Sequence, residues 1–236
     1  MSNAITRRIP NTVTCLNLFS GCVACVMAFE AKYDLALGFI VLSAIFDFFD
    51  GMLARLLHVS SPIGKELDSL ADDISFGLAP ALILFSFLKE EALVYPEFLE
   101  VARDYIPYTA FFIAVFSALR LAKFNVDERQ ASSFIGLPTP ANALFWGSLI
   151  VGAGDLLLMH INALILIALI LLFSWLLVAE IPMFALKLKD LSWKNNRVRY
   201  VFILVSIPLL LIFKLSGIAA VIAWYILLSL VTQKKA

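Results

Sequence analysis

Charge is scarce in this chain. Asp, Glu, Lys and Arg supply 15% of its 236 residues, where a soluble domain carries roughly 25%. Mean hydropathy is +0.94, and 62% of the residues are hydrophobic. An ordinary soluble domain is thereby excluded, and an integral membrane protein is expected. The 18 basic and 18 acidic residues cancel. Bulk charge therefore attracts no polyanion, and no nucleic-acid partner is expected. Histidine is nearly missing: His58 and His160 fall between apolar runs and carry no assigned chemistry. Of the three cysteines, Cys22 and Cys25 form a C-x-x-C beside Cys15, with no second pair and no histidine nearby. That excludes a zinc or redox site and leaves small buried side chains as the expectation. Repeats, long linkers and low-complexity stretches are also missing.

What the chain has instead is apolar runs of membrane-spanning length, which is about 20 residues. Eight helices are expected, near 12–29, 33–57, 67–88, 105–124, 140–157, 161–185, 199–213 and 215–231. The last two, divided by Lys214, form either a tight hairpin or one broken segment. Arg7 and Arg8 precede the first run in the manner of a signal peptide. Thr14, Asn17 and Ser20 inside that run favour a retained span. The fold class is all-α, a polytopic helical bundle in one domain over 1–236.

Basic residues set the orientation. With the N-terminus in the cytosol, fourteen Lys and Arg fall on the cytosolic side, among them Arg55, Lys65, Arg120, Lys123, Arg129 and the run at 187–199. Only Lys32, Lys89, Arg103 and Lys214 fall opposite. The basic run is expected to anchor on anionic lipid.

Against this background four acids stand out. Asp47 and Asp50 are three residues apart, and Asp68 and Asp72 four apart, so each pair shares one helix face. A carboxylate inside a membrane span is costly and signals function. The short connection around 58–64 makes the two helices antiparallel neighbours, which lets the acids converge near the cytosolic headgroups. Gly51 and Ala54 are small and admit a ligand on the same face. Oxygen donors select hard cations, with Mg²⁺ or Mn²⁺ favoured where phosphate completes the shell. Two ions would bridge a pyrophosphate, and an acid left uncoordinated would serve as general base. Arg55 is placed to fork onto phosphate oxygens. Two alternatives stay open: a structural ion network, and a cation or proton transporter using the acids as a relay.

The full pattern Asp47-x2-Asp50-Gly51-x2-Ala54-Arg55-x8-Gly64-x3-Asp68-x3-Asp72 resembles the signature of the CDP-alcohol phosphatidyltransferase family at every position. Members of that family move a phosphatidyl group from a CDP-lipid to an alcohol and release CMP. Their core is six transmembrane helices, usually in a homodimer. Three further segments resemble the branch that takes serine. They are Pro10-Asn11-x2-Thr14-x2-Asn17-Leu18-x2-Gly21, then Ala118-Leu119-Arg120-Leu121-Ala122-Lys123-Phe124-Asn125-Val126, then Phe134-Ile135-Gly136-Leu137-Pro138-Thr139-Pro140-Ala141. The likeness covers about 9–187; the basic loop and C-terminal hairpin at 188–236 lie beyond it. It departs from the branch at Asp73, where no fixed acid is expected, and at Lys123, where Arg is usual.

The resemblance implies that Asp47, Asp50, Asp68 and Asp72 ligate two divalent ions, that Asp72 is also the catalytic base, and that Gly51, Arg55 and Gly64 line the CDP-lipid phosphates. It implies CDP-diacylglycerol and L-serine as substrates in a multi-pass inner-membrane protein with its active site and both termini in the cytosol. Glycerol 3-phosphate or inositol phosphate is the alternative acceptor. Arg120 is the candidate cation for the serine carboxylate, against interfacial snorkelling to lipid phosphate. Asn125 either contacts serine or caps a helix. Thr14 and Asn17 either contact the nucleotide or hold helices together. Gly136, Pro138 and Pro140 read as a turn; Glu180 is expected to pair with a loop Lys.

Overall fold

The computed structural model describes residues 4–59, 61–90, 92–127, 134–184 and 192–232. Arg129, the first part of the basic run (187–191) and the final lysines at 234 and 235 therefore lie outside the described residues. Ten α-helices follow one another: α1 Ala4–Phe29, α2 Tyr33–Leu56, α3 Pro62–Asp72, α4 Ala79–Leu88, α5 Glu97–Glu100, α6 Phe111–Val126, α7 Thr139–His160, α8 Ala163–Val178, α9 Trp193–Phe213 and α10 Ser216–Thr232. A π-helical turn, Asp73–Leu78, joins α3 to α4 into one span. A 3₁₀ turn, Ile106–Ala110, leads into α6.

Six of these segments are long and apolar enough to cross a membrane: Arg8–Phe29, Tyr33–Leu56, Pro62–Leu88, Ile106–Val126, Thr139–His160 and Asn196–Phe213. Two shorter apolar helices, Ala163–Val178 and Ser216–Thr232, complete the set. The chain is a multi-pass helical membrane protein whose eight apolar segments match the eight expected from sequence.

Boundaries differ in two informative places. The third span starts at Pro62 rather than 67. Ser61 caps it, accepting from the Gly64 N–H at 2.9 Å, and Pro62 sits where a missing N–H costs nothing. The sixth span stops at Val178 rather than 185. Pro182 removes a donor and pushes Ile181 into an extended conformation. The chain then forms β2 (Pro182–Met183), antiparallel to β1 (Phe134–Ile135). The last two helices resolve as a hairpin: Phe202 of α9 and Tyr225 of α10 meet at 6.0 Å between ring centroids.

α1 packs against α2, α3 and α4, and α7 packs against α2, α4 and α10. Their shared centre holds Ile40, Phe76, Ile83 and Trp146, all fully buried. Phe145 stacks on Phe173 at 4.0 Å. Large apolar side chains such as Phe19, Leu204 and Leu211 point outward, as a lipid-facing surface requires. Cys15 and Cys22 share that outer surface, and Cys25 is only half-buried. The expectation of buried cysteines is corrected accordingly: α1 faces the bundle with Thr14, Asn17 and Ser20, which turns the first two cysteines outward.

One close approach positions the acids. A Cβ on Gly21 would lie 2.9 Å from the Ser75 Cα. Only glycine lets α1 come this near the π turn. Asn17, one turn earlier on α1, thereby reaches Asp72, just ahead of that turn. Hydroxyls lock the arrangement: Ser43 Oγ donates to the Asn17 carbonyl at 3.1 Å, and Ser20 Oγ to the Phe39 carbonyl at 2.8 Å.

Candidate active site

Asp47 and Asp50 lie on α2 and Asp68 and Asp72 on α3, and α1 packs against both helices. One carboxylate oxygen from each of Asp47, Asp50 and Asp68 lies within 4.8 Å of the others. Asp50 is buried, and the other two are half-buried. Asp50 Oδ2 and Asp68 Oδ1 are shielded from solvent and have no hydrogen-bond partner. At 4.8 Å and an effective dielectric constant of about 20, each ionised pair repels by about 3 kcal/mol. Orphaned, mutually repelling oxygens converging on one point suit a hard divalent cation. Among the described residues this donor set fits Mg²⁺ or Mn²⁺.

Asp72 stands one helical turn deeper. Its Oδ1 accepts a hydrogen bond from Asn17 Nδ2 at 3.1 Å. Asn17 Oδ1 in turn accepts from Ser75 Oγ at 2.8 Å. Asn17 is fully buried and does not line the cavity beside the acids. Of its two readings, helix cohesion is the one its contacts describe, and what it holds is Asp72. The π turn starts at the next residue. Such turns recur at functional sites because they rotate the flanking side chains out of helical register. Asp73 consequently faces away from the cluster, toward Ser117 of α6, with its Oδ1 buried and unpartnered.

A cavity of about 210 Å³ opens beside the acids. Asp50, Gly51, Ala54, Gly64, Asp68 and Thr14 line it. A Cβ on Gly51 would meet nothing within 4 Å, so Gly51 borders open space. Gly64 is tighter: a Cβ there would lie 2.9 Å from Asn11 Oδ1 and 3.0 Å from Ser61 Oγ. Thr14 donates to the Pro10 carbonyl at 3.1 Å. Arg55 is exposed in the last turn of α2, outside the lining.

Five further residues line the cavity: Pro10 and Asn11 of the segment quoted above, and Val59, Ser61 and Lys65, to which the sequence assigns no site role. Lys65 was counted only as an orienting charge, although it follows Gly64 directly. Its Nζ donates to the Asn125 carbonyl at 2.8 Å, tying α3 to the end of α6. Asn125 Nδ2 adds a bond to Ser69 Oγ at 2.8 Å. Asn125 is thus a cross-tie between these helices and lines neither this cavity nor the next.

A second cavity, about 170 Å³, holds Arg120, Lys123, Asp127 and Glu180. Arg120 is 6% exposed, with its Nε unpartnered. It lies within electrostatic reach of Asp72 and 6.0 Å above the Phe124 ring. A guanidinium this buried is not an interfacial side chain snorkelling to headgroups.

The comparison with known families decides the kinship. Residues 7–186 match the model of the CDP-alcohol phosphatidyltransferases. The chain belongs to that family. Several curated relatives carry the name CDP-diacylglycerol–serine O-phosphatidyltransferase. One from Helicobacter pylori is 36% identical over 137 residues, which is 57% of this chain and 54% of the relative. One from Bacillus subtilis is 34% identical over 136 residues, 56% of this chain and 69% of the relative. One from Methanocaldococcus jannaschii is 36% identical over 137 residues, 58% of this chain and 57% of the relative. The similarity thus spans little more than half the length of most of these relatives.

Proposed function

We propose that this protein transfers the phosphatidyl group of CDP-diacylglycerol to L-serine, giving phosphatidylserine and CMP. One observation carries the reading: the orphaned oxygens of Asp50 and Asp68 converge with Asp47 at the mouth of a cavity reaching α1. The names of the relatives support serine as the acceptor.

In this reading Asp47, Asp50, Asp68 and Asp72 hold two divalent ions, Mg²⁺ or Mn²⁺. When bound, such ions neutralise the pyrophosphate and the charge that develops on the leaving phosphate. Gly51, Ala54 and Gly64 let the pyrophosphate lie against backbone. Thr14, Asn11 and Lys65 address the rest of the nucleotide, and Arg55 swings in from α2. Acyl chains remain in surrounding lipid.

Serine enters the Arg120 cavity. Arg120 takes its carboxylate, with Lys123 beside it, while Glu180 and Asp127 face its ammonium. Asn17 fixes one oxygen of Asp72, leaving the other to receive the serine hydroxyl proton. The deprotonated oxygen attacks the phosphorus bound to diacylglycerol. The bond to the CMP phosphate breaks, and CMP departs with the electron pair. The chain contributes positioning and fixed charge. The catalytic unit is the whole described bundle, its active site and both termini lie at the cytosolic face of the inner membrane, and the assembly is a homodimer.

Purified protein supplied with CDP-diacylglycerol and labelled serine is expected to yield labelled lipid and equimolar CMP. Product with glycerol 3-phosphate but not with serine would replace the acceptor. Asp72→Asn is expected to reduce CMP release by about 10²- to 10⁴-fold in a folded protein. Metal-dependent ion flux across vesicles without CMP release would replace the enzyme by a transporter.

A further inference from the structure

On one side of the Arg120 cavity stands α6 with Arg120 and Lys123; on the other are Ile135, the end of α8 and Glu180. Ile135 belongs to β1, which pairs with β2 behind that side, Phe134 to Met183 and Ile135 to Pro182. Gly136 N–H donates to the Ile181 carbonyl and Leu137 N–H to the Leu176 carbonyl, both at 2.9 Å. Gly136 has φ +77°, and a Cβ on it would lie 2.5 Å from the Leu177 carbonyl, so no other residue fits that turn. A two-stranded ribbon this short is not stable alone. Something must hold it in place.

The C-terminal hairpin does so. Tyr225 of α10 donates its hydroxyl to the Phe184 carbonyl at 3.0 Å, at the residue directly after β2. Its ring packs on Phe184 at 4.8 Å and on Phe202 of α9 at 6.0 Å; Phe184 and Phe202 meet at 5.7 Å. Tyr225 is 9% exposed and lies within electrostatic reach of Arg120. The hairpin is itself fixed to the bundle, because Gly152 of α7 lets the backbone of Ser216 come close: a Cβ at Gly152 would lie 2.3 Å from the Ser216 nitrogen. The hairpin residues Phe202, Ser216 and Tyr225 lie beyond the family match, which ends at 186; the residues they hold lie within it.

We propose that Tyr225 is a positioning residue of the acceptor pocket, its hydroxyl latching the strand after α8 so that the pocket wall stays closed against Arg120. The proposal rests on the assignment of the Arg120 cavity to the acceptor. It gives the C-terminal hairpin a task in the reaction without contact to either substrate.

Tyr225→Phe removes the hydroxyl and leaves the ring packing in place. The expected result is a rise in KM for serine of about threefold to tenfold, the range for one lost neutral hydrogen bond. kcat and the KM for CDP-diacylglycerol should stay within about twofold of wild type, since the acids and their cavity lie elsewhere. Hydrogen exchange should quicken at the amides of 134–137 and 181–184, and not in α2 or α3. An unchanged KM for serine overturns the proposal, even if thermal stability falls. So does a raised KM without faster exchange at those amides, because the latch would then not be the cause. Arg120→Gln separates this proposal from the reading beneath it. If Arg120→Gln leaves the acceptor KM unchanged, the pocket assignment and the proposal fall together. If Arg120→Gln raises it while Tyr225→Phe is silent, only the role of Tyr225 is lost.

Discussion

Acids gather at both ends of this bundle, and the two gatherings differ in kind. At one end Asp47, Asp50 and Asp68 converge within 4.8 Å beside a cavity of about 210 Å³. At the other, Asp34, Glu90 and Asp155 border a cleft more than three times larger, about 720 Å³. In that cleft Asp34 and Asp155 are exposed, and Glu90 accepts from the Tyr33 hydroxyl at 3.0 Å. Nearby Lys32 pairs with Glu30 at 2.6 Å. Water and partners there satisfy each acid separately. At the first end, two oxygens are buried with no partner at all. Size and acidity do not mark the site; convergence with unmet demand does.

The sharpest test of that contrast is neutralisation at each end. Asp50→Asn should reduce CMP release by about 10²- to 10⁴-fold, as should Asp72→Asn through loss of the base. Asp34→Asn and Asp155→Asn should leave the rate within about twofold. Comparable losses at both ends would erase the distinction.

Stability gives the next largest effect. Each ionised pair in the cluster repels by about 3 kcal/mol when no cation is bound. In detergent with chelator, Asp68→Asn should therefore unfold at a higher temperature than wild type. Added Mn²⁺ should reverse that order, because wild type gains a ligand that the variant has lost. Asp155→Asn should do neither.

Asn17→Ala probes the support beneath the site. It leaves Asp72 without its donor in a buried position, and a hydrogen bond to a charged group is worth about 1.5–3 kcal/mol. kcat should drop by roughly 10- to 100-fold, with the KM for CDP-diacylglycerol unchanged, because Asn17 does not line the cavity. A raised KM with normal kcat would return Asn17 to the nucleotide contacts. Lys65→Gln should give the smallest effect, a rise of about threefold in the KM for CDP-diacylglycerol at low salt that fades as salt increases.

Sequence spacing made much of this legible. Acids three and four residues apart must share helix faces, and a short connection keeps those faces at one end of the bundle, where Asp47, Asp50 and Asp68 converge; the packing of α1 against both helices was not legible. Eight apolar runs were equally plain. The spacing did not separate Asp72 from the other three, because that depends on the π turn after it and on Gly21 admitting α1. Neither feature has a local sequence signature. Lys65 was hidden for a related reason: its place on the cavity comes from α1 packing against α3, a tertiary fact. Asn125 was legible as a polar residue near a helix end, yet its partner Ser69 lies 56 residues away in the chain. The strand at Pro182–Met183 was masked by apolar residues that continue the run of α8, although Pro182 itself was the available warning.

The most direct measurement is a Mn²⁺ titration of the purified protein in detergent, followed by electron paramagnetic resonance with and without CDP-diacylglycerol. The account predicts two bound ions that tighten when the lipid is added, lost in the Asp50→Asn, Asp68→Asn double variant and kept in Asp34→Asn. Wild-type binding that survives the double variant would contradict it.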